Sequence, residues 1–328
     1  GFDVGTVRDR YIGTSVALVP RISSWIRPRF TTSSNFTLSR SLTARNPVRV
    51  DGDTAGAFIL PQTLNNSRRN DIGLTLEPAI LMRRVFGDSA FLARIFQRVR
   101  PIDASWGRTF TSTYDLASFD PGAGYQLAIG GLDDFLEQEG VRAVGAAECH
   151  TGQGTGTFDL PAGFSGDLRY GRTAADRYQR SALQRFVPTR TEQLDWPEIN
   201  LRWSRSFRGG PLTLLSFTGG VRQREARTET FAADSTQPSA LVSNISTGWR
   251  PGMMIYFRNG VTLNANATLD RGESISNGNI TERESDRYDA TLAWSVRLPW
   301  GNRQTAKPLR TSLFATSFRQ RECLLRTG

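Results

Sequence analysis

The most regular hydrophobic pattern in the chain runs from Tyr288 to Trp300. Tyr288, Ala290, Leu292, Trp294, Val296 and Leu298 share one parity, and Asp289, Thr291, Ala293, Ser295 and Arg297 the other. Period two belongs to a strand with one apolar face, and a helix does not produce it. Tyr288 and Trp300 stand twelve positions apart, or ~40 Å of strand at about 3.3 Å per residue. A tilt of ~40° turns that into ~30 Å of height, which suits two aromatic girdles around an apolar band about 25 Å tall. Pro299 weakens the pattern at its end.

The same alternation recurs upstream. Met253, Ile255 and Phe257 lead into Asn259-Gly260, the strongest dipeptide signal for a tight hairpin, and Val261, Leu263, Ala265, Ala267 and Leu269 follow. The polar tract Asp270 to Arg287, with Asn277-Gly278 inside it, reads as a long hydrophilic loop, so short turns at one end alternate with long loops at the other. Leu241 to Trp249 and Leu215 to Val221 are two further strands, the second running on into the charged segment Arg222 to Glu229. Leu194 and Trp196 are even, whereas Ile199, Leu201 and Trp203 are odd, with Pro197 and Glu198 between. A β-bulge there restores one continuous apolar face.

In the first half, strands are expected over Tyr11 to Val19, Ile22 to Phe30, Phe36 to Leu42, Ile72 to Leu76, Ile102 to Phe110, Gly124 to Ile129, Leu160 to Tyr170 and Tyr178 to Val187. Roughly 13 to 15 strands result. The facing of Leu309 to Ala315 is ambiguous, because Phe314 and Phe318 take the opposite parity. Pro78 to Val99 is nearer helical spacing and reads as a short interfacial or plug helix, or as a strand pair turning at Gly87-Asp88. Asp133 to Glu139 is an acidic, helix-compatible stretch in a loop, and no fixed-length repeat is visible.

Composition agrees with this reading. Of 328 residues 38% are hydrophobic, while Gly (31), Phe (19) and Trp (7) are plentiful, which is a β- and turn-rich profile. No run approaches the ~18 apolar residues of a spanning helix. The mean hydropathy of −0.38 does not exclude a membrane barrel, whose strands need only every second residue apolar. The +10 charge would suit a nucleic-acid binder, but the arginines are spread over nearly every segment among Ser, Thr, Gly and Asp, and Lys307 is the only lysine. Solvent-facing strand positions account for them better, so no nucleic-acid partner is expected; contact with acidic lipopolysaccharide is a further use for them. The chain opens on Gly1 and closes on Arg326-Thr327-Gly328, and residues 1–328 are expected to be one partial barrel domain cut at both ends.

Candidate chemistry is sparse. His150 is the single histidine, and in Glu148-Cys149-His150 the thiol and imidazole would point to opposite faces of a strand. Gly152, Gly154 and Gly156 lack the Gly-Lys-Ser/Thr of a phosphate loop and read as a loop or glycine-rich strand. Cys149 and Cys323 have no metal or redox spacing. Asp133-Asp134 and Glu282, Glu284 and Asp286 could bridge lipopolysaccharide through divalent ions, but solvated loop charge is the default reading. The expectation is no enzyme: no catalytic, cofactor or metal residues. The residues singled out are the girdle aromatics Trp196, Trp203, Trp249, Tyr288, Trp294 and Trp300.

Several strings resemble the SprA family, the very large outer-membrane translocon of type IX secretion. They are Asp195-Trp196-Pro197-Glu198-Ile199-Asn200-Leu201-Arg202-Trp203, Phe257-Arg258-Asn259-Gly260, Arg100-Pro101-Ile102-Asp103 and Pro121-Gly122-Ala123-Gly124-Tyr125-Gln126-Leu127. The resemblance implies a C-terminal part of a giant outer-membrane barrel, with secreted protein cargo and periplasmic secretion components as partners beside lipid, lipopolysaccharide and the rest of its own barrel. It also implies an open sheet with unpaired edges, and it carries over no catalytic residue. The expected fold is all-β, an antiparallel transmembrane β-barrel wall with long strands and long polar loops. An LptD-like barrel, a TonB-dependent receptor or a porin shares these features. From other classes, a soluble secreted β-sandwich or adhesin would need strands of about 5 to 6 residues and a second sheet, and a carbohydrate-active β-enzyme would need two converging carboxylates.

Overall fold

A computed structural model describes residues 8–40, 48–49, 58–59, 62–87, 98–117, 121–129, 132–138, 140–180, 186–232, 237–296 and 309–326. Its long strands are β1 (Asp9–Leu18), β2 (Ile26–Arg40), β5 (Gln62–Leu76), β6 (Ile102–Ala117), β9 (Gly145–Leu160), β10 (Phe164–Arg180), β11 (Phe186–Ser206) and β12 (Leu212–Phe231). They continue as β13 (Pro238–Trp249), β14 (Gly252–Phe257), β15 (Val261–Ser276), β16 (Asn279–Val296) and β17 (Leu309–Arg326). Two-residue ladders join β3 (Val48–Arg49) to β4 (Phe58–Ile59) and β7 (Glu137–Gln138) to β8 (Val141–Arg142). Helices are α1 (Pro78–Phe86), α2 (Ala123–Gln126) and α3 (Leu132–Leu136).

The long strands form one antiparallel sheet in simple up-and-down order, β1-β2-β5-β6-β9-β10-β11-β12-β13-β15-β16-β17, with β14 beside β12 and β15. β13 and β14 are two halves of one rung. Trp249 pairs with Val221 and Leu269, and Gly252 pairs with Thr218 and Asn266, so the register passes unchanged through Arg250-Pro251. Arg250 exchanges both backbone bonds with Gly220, and Pro251, which has no N–H, still accepts from Ala267 at 2.9 Å. The sheet therefore has twelve rungs.

Sequence patterning over-divided several of them. Ile22 to Phe30 and Phe36 to Leu42 belong largely to β2, because Thr31–Asn35, polar on both faces, keeps its ladder with β1 and β5. Leu160 to Tyr170 and the start of Tyr178 to Val187 likewise share β10, and Leu241 to Trp249 and Met253 to Phe257 share one rung. The tract Asp270 to Arg287 is no loop. β15 and β16 run through it and turn at Asn277-Gly278, both at positive φ (48° and 85°). Its charges are ladder residues, with Arg271 held by Glu284 at 2.5 Å and Asp286 at 2.8 Å across the strands. Gly124 to Ile129 is not a strand either, and takes in most of α2.

The parity shift in β11 is a bulge, as expected. The register jumps between Asp195 and Glu198 against β12, and between Arg169 and Gly171 against β10. Leu194, Ile199, Leu201 and Trp203 consequently share a face. The hairpin at Asn259-Gly260 also stands where predicted, with Gly260 at φ 81° and the Asn259 side chain accepting from the Val261 N–H at 3.2 Å.

Among the described residues, only one corner is packed in the manner of a water-soluble protein. Phe36, Leu38, Leu64 and Tyr114 enclose Tyr125 and Ala143, and Phe110 meets Ala128 and Phe135. These contacts dock the α2–α3 segment as a collar on the upper ends of β2, β5 and β6. Elsewhere the sheet is a single layer. The chain exposes 22402 Å², against about 13,500 Å² for a compact monomer of its mass. β1 and β17 pair on one side only, leaving both edges open among the described residues.

Candidate functional site

Following the register from strand to strand separates two unlike faces. One carries Val16 and Leu18 on β1, Ile26 and Phe30 on β2, Ile72, Leu74 and Leu76 on β5, and Ile102 and Trp106 on β6. Past β9 it continues as Tyr170, Leu168 and Phe164, then Ile199, Leu201 and Trp203, then Val221, Phe217 and Leu215. Trp249, Met253, Ile255 and Phe257 come next, followed by Leu263 and Leu269 and by Tyr288, Leu292 and Trp294. This is an apolar band crossing all twelve rungs at one end of the strands, called basal here. Trp249 to Phe257 is eight steps, ~26 Å of strand, or ~20 Å of height at a 40° tilt. Many of its large side chains are open: Leu201 is 50% exposed, Trp249 54% and Leu313 61%.

Toward the other, distal end the same face turns charged. Arg190 bonds Asp176 at 2.8 Å, Arg227 pairs with Glu229 at 2.5 Å, and Arg271 pairs with Glu284 and Asp286. His150 Nε2 and Arg108 Nε both reach Glu148 Oε1, at 2.7 and 2.6 Å. Cys149 lies on the opposite face between Thr109 and Ala175, so thiol and imidazole point apart. Cys323 lies seven strands away from Cys149, or ~34 Å at about 4.8 Å per strand, far beyond disulfide reach. Both thiols are free.

The second face is mainly polar, with Tyr11, Met254, Tyr256, Phe314 and Phe318 among its large apolar or aromatic members. Along β6 it shows Asp103, Ser105, Gly107, Thr109, Thr111 and Thr113. Across β10–β12 it carries two hydrogen-bonded clusters, one around Asp167 and one around Asp195. Arg169 pairs with Asp167 at 3.1 Å, Asn200 donates to Asp167 at 3.0 Å, and Arg222 donates to Asp195 at 3.0 Å. Gln193 also donates to Asp195 at 2.7 Å and accepts from Arg224 at 2.6 Å. Farther along, Arg287 and Thr316 converge on Asp289 at 2.8 and 2.9 Å. A cavity of about 510 Å³ opens on this face near its basal end, bordered by Arg100, Asp159, Asp167, Arg202 and Arg250. Such a surface wets readily and holds charge of both signs.

The predicted aromatics fall on the banded face. Trp196, Trp249 and Tyr288 stand near its distal border, and Trp203 and Trp294 near its basal one. Trp300 lies outside the described residues. The structure adds Trp106 and Tyr170 to the distal set, with Tyr170 edge-on to Trp196 at 6.0 Å, and Phe164 and Phe217 to the basal set beside Trp203 at 6.0 and 5.7 Å. Two of these had a legible signal: in Trp106-Gly107-Arg108 and Tyr170-Gly171-Arg172 an aromatic precedes an arginine of its own parity, marking where the band ends. The run Gly152, Gly154 and Gly156 is strand, not loop, and Tyr170 lies against the first two glycines.

The collar closes over the charged zone of the banded face. Tyr114 Oη donates to the Phe135 carbonyl at 3.1 Å, Arg68 donates to the Ala128 carbonyl at 3.1 Å, and Asn66 donates to the Tyr125 carbonyl. Burial pushes the Tyr125 phenol up to about 12, with its 2.7 Å hydrogen bond to Ser112 opposing the shift.

No family model matches the chain. No curated protein matches it. Among solved structures, a point mutant of the ferric enterobactin receptor from Pseudomonas aeruginosa, in complex with enterobactin, is similar at TM-score 0.46 and 10% identity. That similarity covers 90% of this chain and 43% of the receptor chain, so the chain spans less than half of the protein it matches.

Proposed function

We propose that this chain is a section of the wall of an outer-membrane β-barrel, with its banded face against lipid and its polar face along an aqueous passage. The apolar band carries this reading. Twelve rungs hold their large apolar side chains at one height on one face, and nothing in the sheet covers them. A β-sandwich would need a second sheet over that face; among the described residues there are only the one large sheet and two two-residue ladders. A medium that is itself apolar meets the same requirement.

Within that reading the passage conducts protein, in the manner of the type IX translocon. The resembling strings fall on structural landmarks: Asp195–Trp203 holds the bulge, Phe257–Gly260 the basal hairpin, and Pro121–Leu127 the collar. The edges of β1 and β17, open among the described residues, suit a wall that further strands complete. Lipopolysaccharide, the rest of the barrel, secreted cargo and periplasmic secretion components are the partners this implies. The chain acts as a wall and not as an enzyme.

Membrane fractionation of the full-length gene product tests the first step. Recovery in the outer membrane with heat-modifiable gel mobility is expected, and recovery in the soluble fraction overturns it. Deleting the gene tests the second. Secreted proteins should accumulate in the periplasm, whereas intact secretion with lost uptake of small solutes would point to a receptor or porin.

A further inference from the structure

We infer that α1 is an amphipathic foot that rests on the anionic phospholipid surface at the basal side of the wall, an inference that depends on the barrel reading above. β5 ends at Leu76, in register with Ile26 and Ile102 at the lower border of the band, and α1 starts two residues later. The Glu77 N–H donates to the Trp25 carbonyl at 2.8 Å, and Arg27 pairs with Glu77 at 2.8 Å, which ties the helix start to the β1–β2 connection. Around the helix, at 100° per residue, Leu81, Val85, Pro78, Met82 and Phe86 fill one arc of about 140°. Arg83 and Arg84 stand on its two shoulders, with Ile80 between them on the far side. No acidic residue lies between Pro78 and Gly87. Val85 and Phe86 are 61% and 50% exposed, so the sheet leaves the end of the apolar arc uncovered. Gly87, at φ 76°, donates to the Arg83 carbonyl at 2.9 Å and closes the helix there.

An apolar arc open at Val85 and Phe86 and flanked by cations matches a helix whose end lies in a headgroup layer, with those two side chains dipping toward acyl chains and the guanidinium groups meeting phosphates. The basal connections Pro161–Gly163 and Arg258–Gly260 are short, though the distal turn Asn277-Gly278 is shorter still; the strands run on past the band at the distal end, which makes the basal side the periplasmic one. The phospholipid of that leaflet is therefore the occupant that fits.

The experiment places a spin label at Phe86→Cys in the full-length protein lacking its own thiols (Cys149→Ser, Cys323→Ser), reconstituted in phosphatidylglycerol-containing vesicles. A second label at Leu292→Cys reports on the band. Both labels should collide with oxygen more than with a water-soluble nickel complex, and the Phe86 label should sit at headgroup depth. Replacing Arg83 and Arg84 by Gln should lower the ratio of docked to water-exposed helix about fivefold per residue, from ~1 kcal/mol for each cation at an anionic surface. In phosphatidylcholine alone the two substitutions should change nothing. A Leu292 label in lipid with a Phe86 label in water overturns the foot and leaves the barrel standing. Docking that ignores lipid charge overturns the anionic partner. A Leu292 label in water overturns the barrel reading and the foot with it.

Discussion

The distal corner on β2, β5 and β6 and the bare wall from β11 to β17 use the same strand alternation to opposite ends. In the corner, Phe36 and Leu64 are 0% exposed beneath the collar, and Phe36, Tyr114 and Tyr125 meet edge to face at 5.7–6.1 Å. In the wall, Leu201, Leu292 and Leu313 sit on strands at least as long and remain open. An apolar strand face thus specifies burial without specifying what buries it. The corner brings its own cover, and the wall depends on its surroundings, so the two should fail under different perturbations.

The largest effect is expected in the corner. Phe36→Ala removes a fully buried ring and should cost about 3–5 kcal/mol locally. Limited proteolysis should then cut the collar while the β11–β17 strands stay protected. Cleavage of both regions together would show that they unfold as one unit. Next comes a charge in the band. Leu292→Arg should cost about 2–4 kcal/mol in vesicle-embedded protein, whereas Thr291→Arg on the polar face should cost far less. Equal losses in urea titrations would erase the distinction between the faces.

Alkali separates the regions without mutation. A phenol whose folded value lies above its unfolded value near 10 adds stability that is complete below pH 10 and lost as pH rises through the folded value. Because burial holds Tyr125 up to about 12 and raises its neighbour Tyr114 as well, the collar should loosen as pH climbs above 10, Tyr125 accounting for at most roughly 2–3 kcal/mol, and Tyr125→Phe should weaken the dependence without abolishing it. Amide exchange in the collar, compared with β15–β16, measures it. The smallest effect is expected from Arg190→Ala. Its bond to Asp176 at 2.8 Å is half exposed and should be worth less than about 1 kcal/mol, shrinking further in salt.

What could be read from the chain follows the same division. In the band, parity carried the information: the Leu194/Ile199 shift located the bulge, and Asn259-Gly260 located a hairpin, because only one residue in two is apolar and a single extra residue is conspicuous. Above the band both faces are polar and parity carries none. Asp270 to Arg287 therefore looks like a loop, although Arg271, Glu284 and Asp286 knit it into ladder. The collar was hidden for a different reason. Gly124 to Ile129 has strand-like alternation, but its Tyr125 belongs to a core whose other members, Phe36, Leu64 and Tyr114, lie up to 89 positions away in sequence. Local pattern cannot report a partner that distant. The polar clusters on β10–β12 escaped as well, since Asp167 and Asn200, or Asp195 and Arg222, become neighbours only once the register is known.

The length of β11 has a consequence for transport. Its 21 residues make ~69 Å of strand, or ~53 Å of height at a 40° tilt, more than twice the height of the band. A passage lined by this wall, as proposed above, would be as long as the strands and not as the bilayer, and at equal bore it should pass less single-channel current than a pore only as tall as its lipid contact.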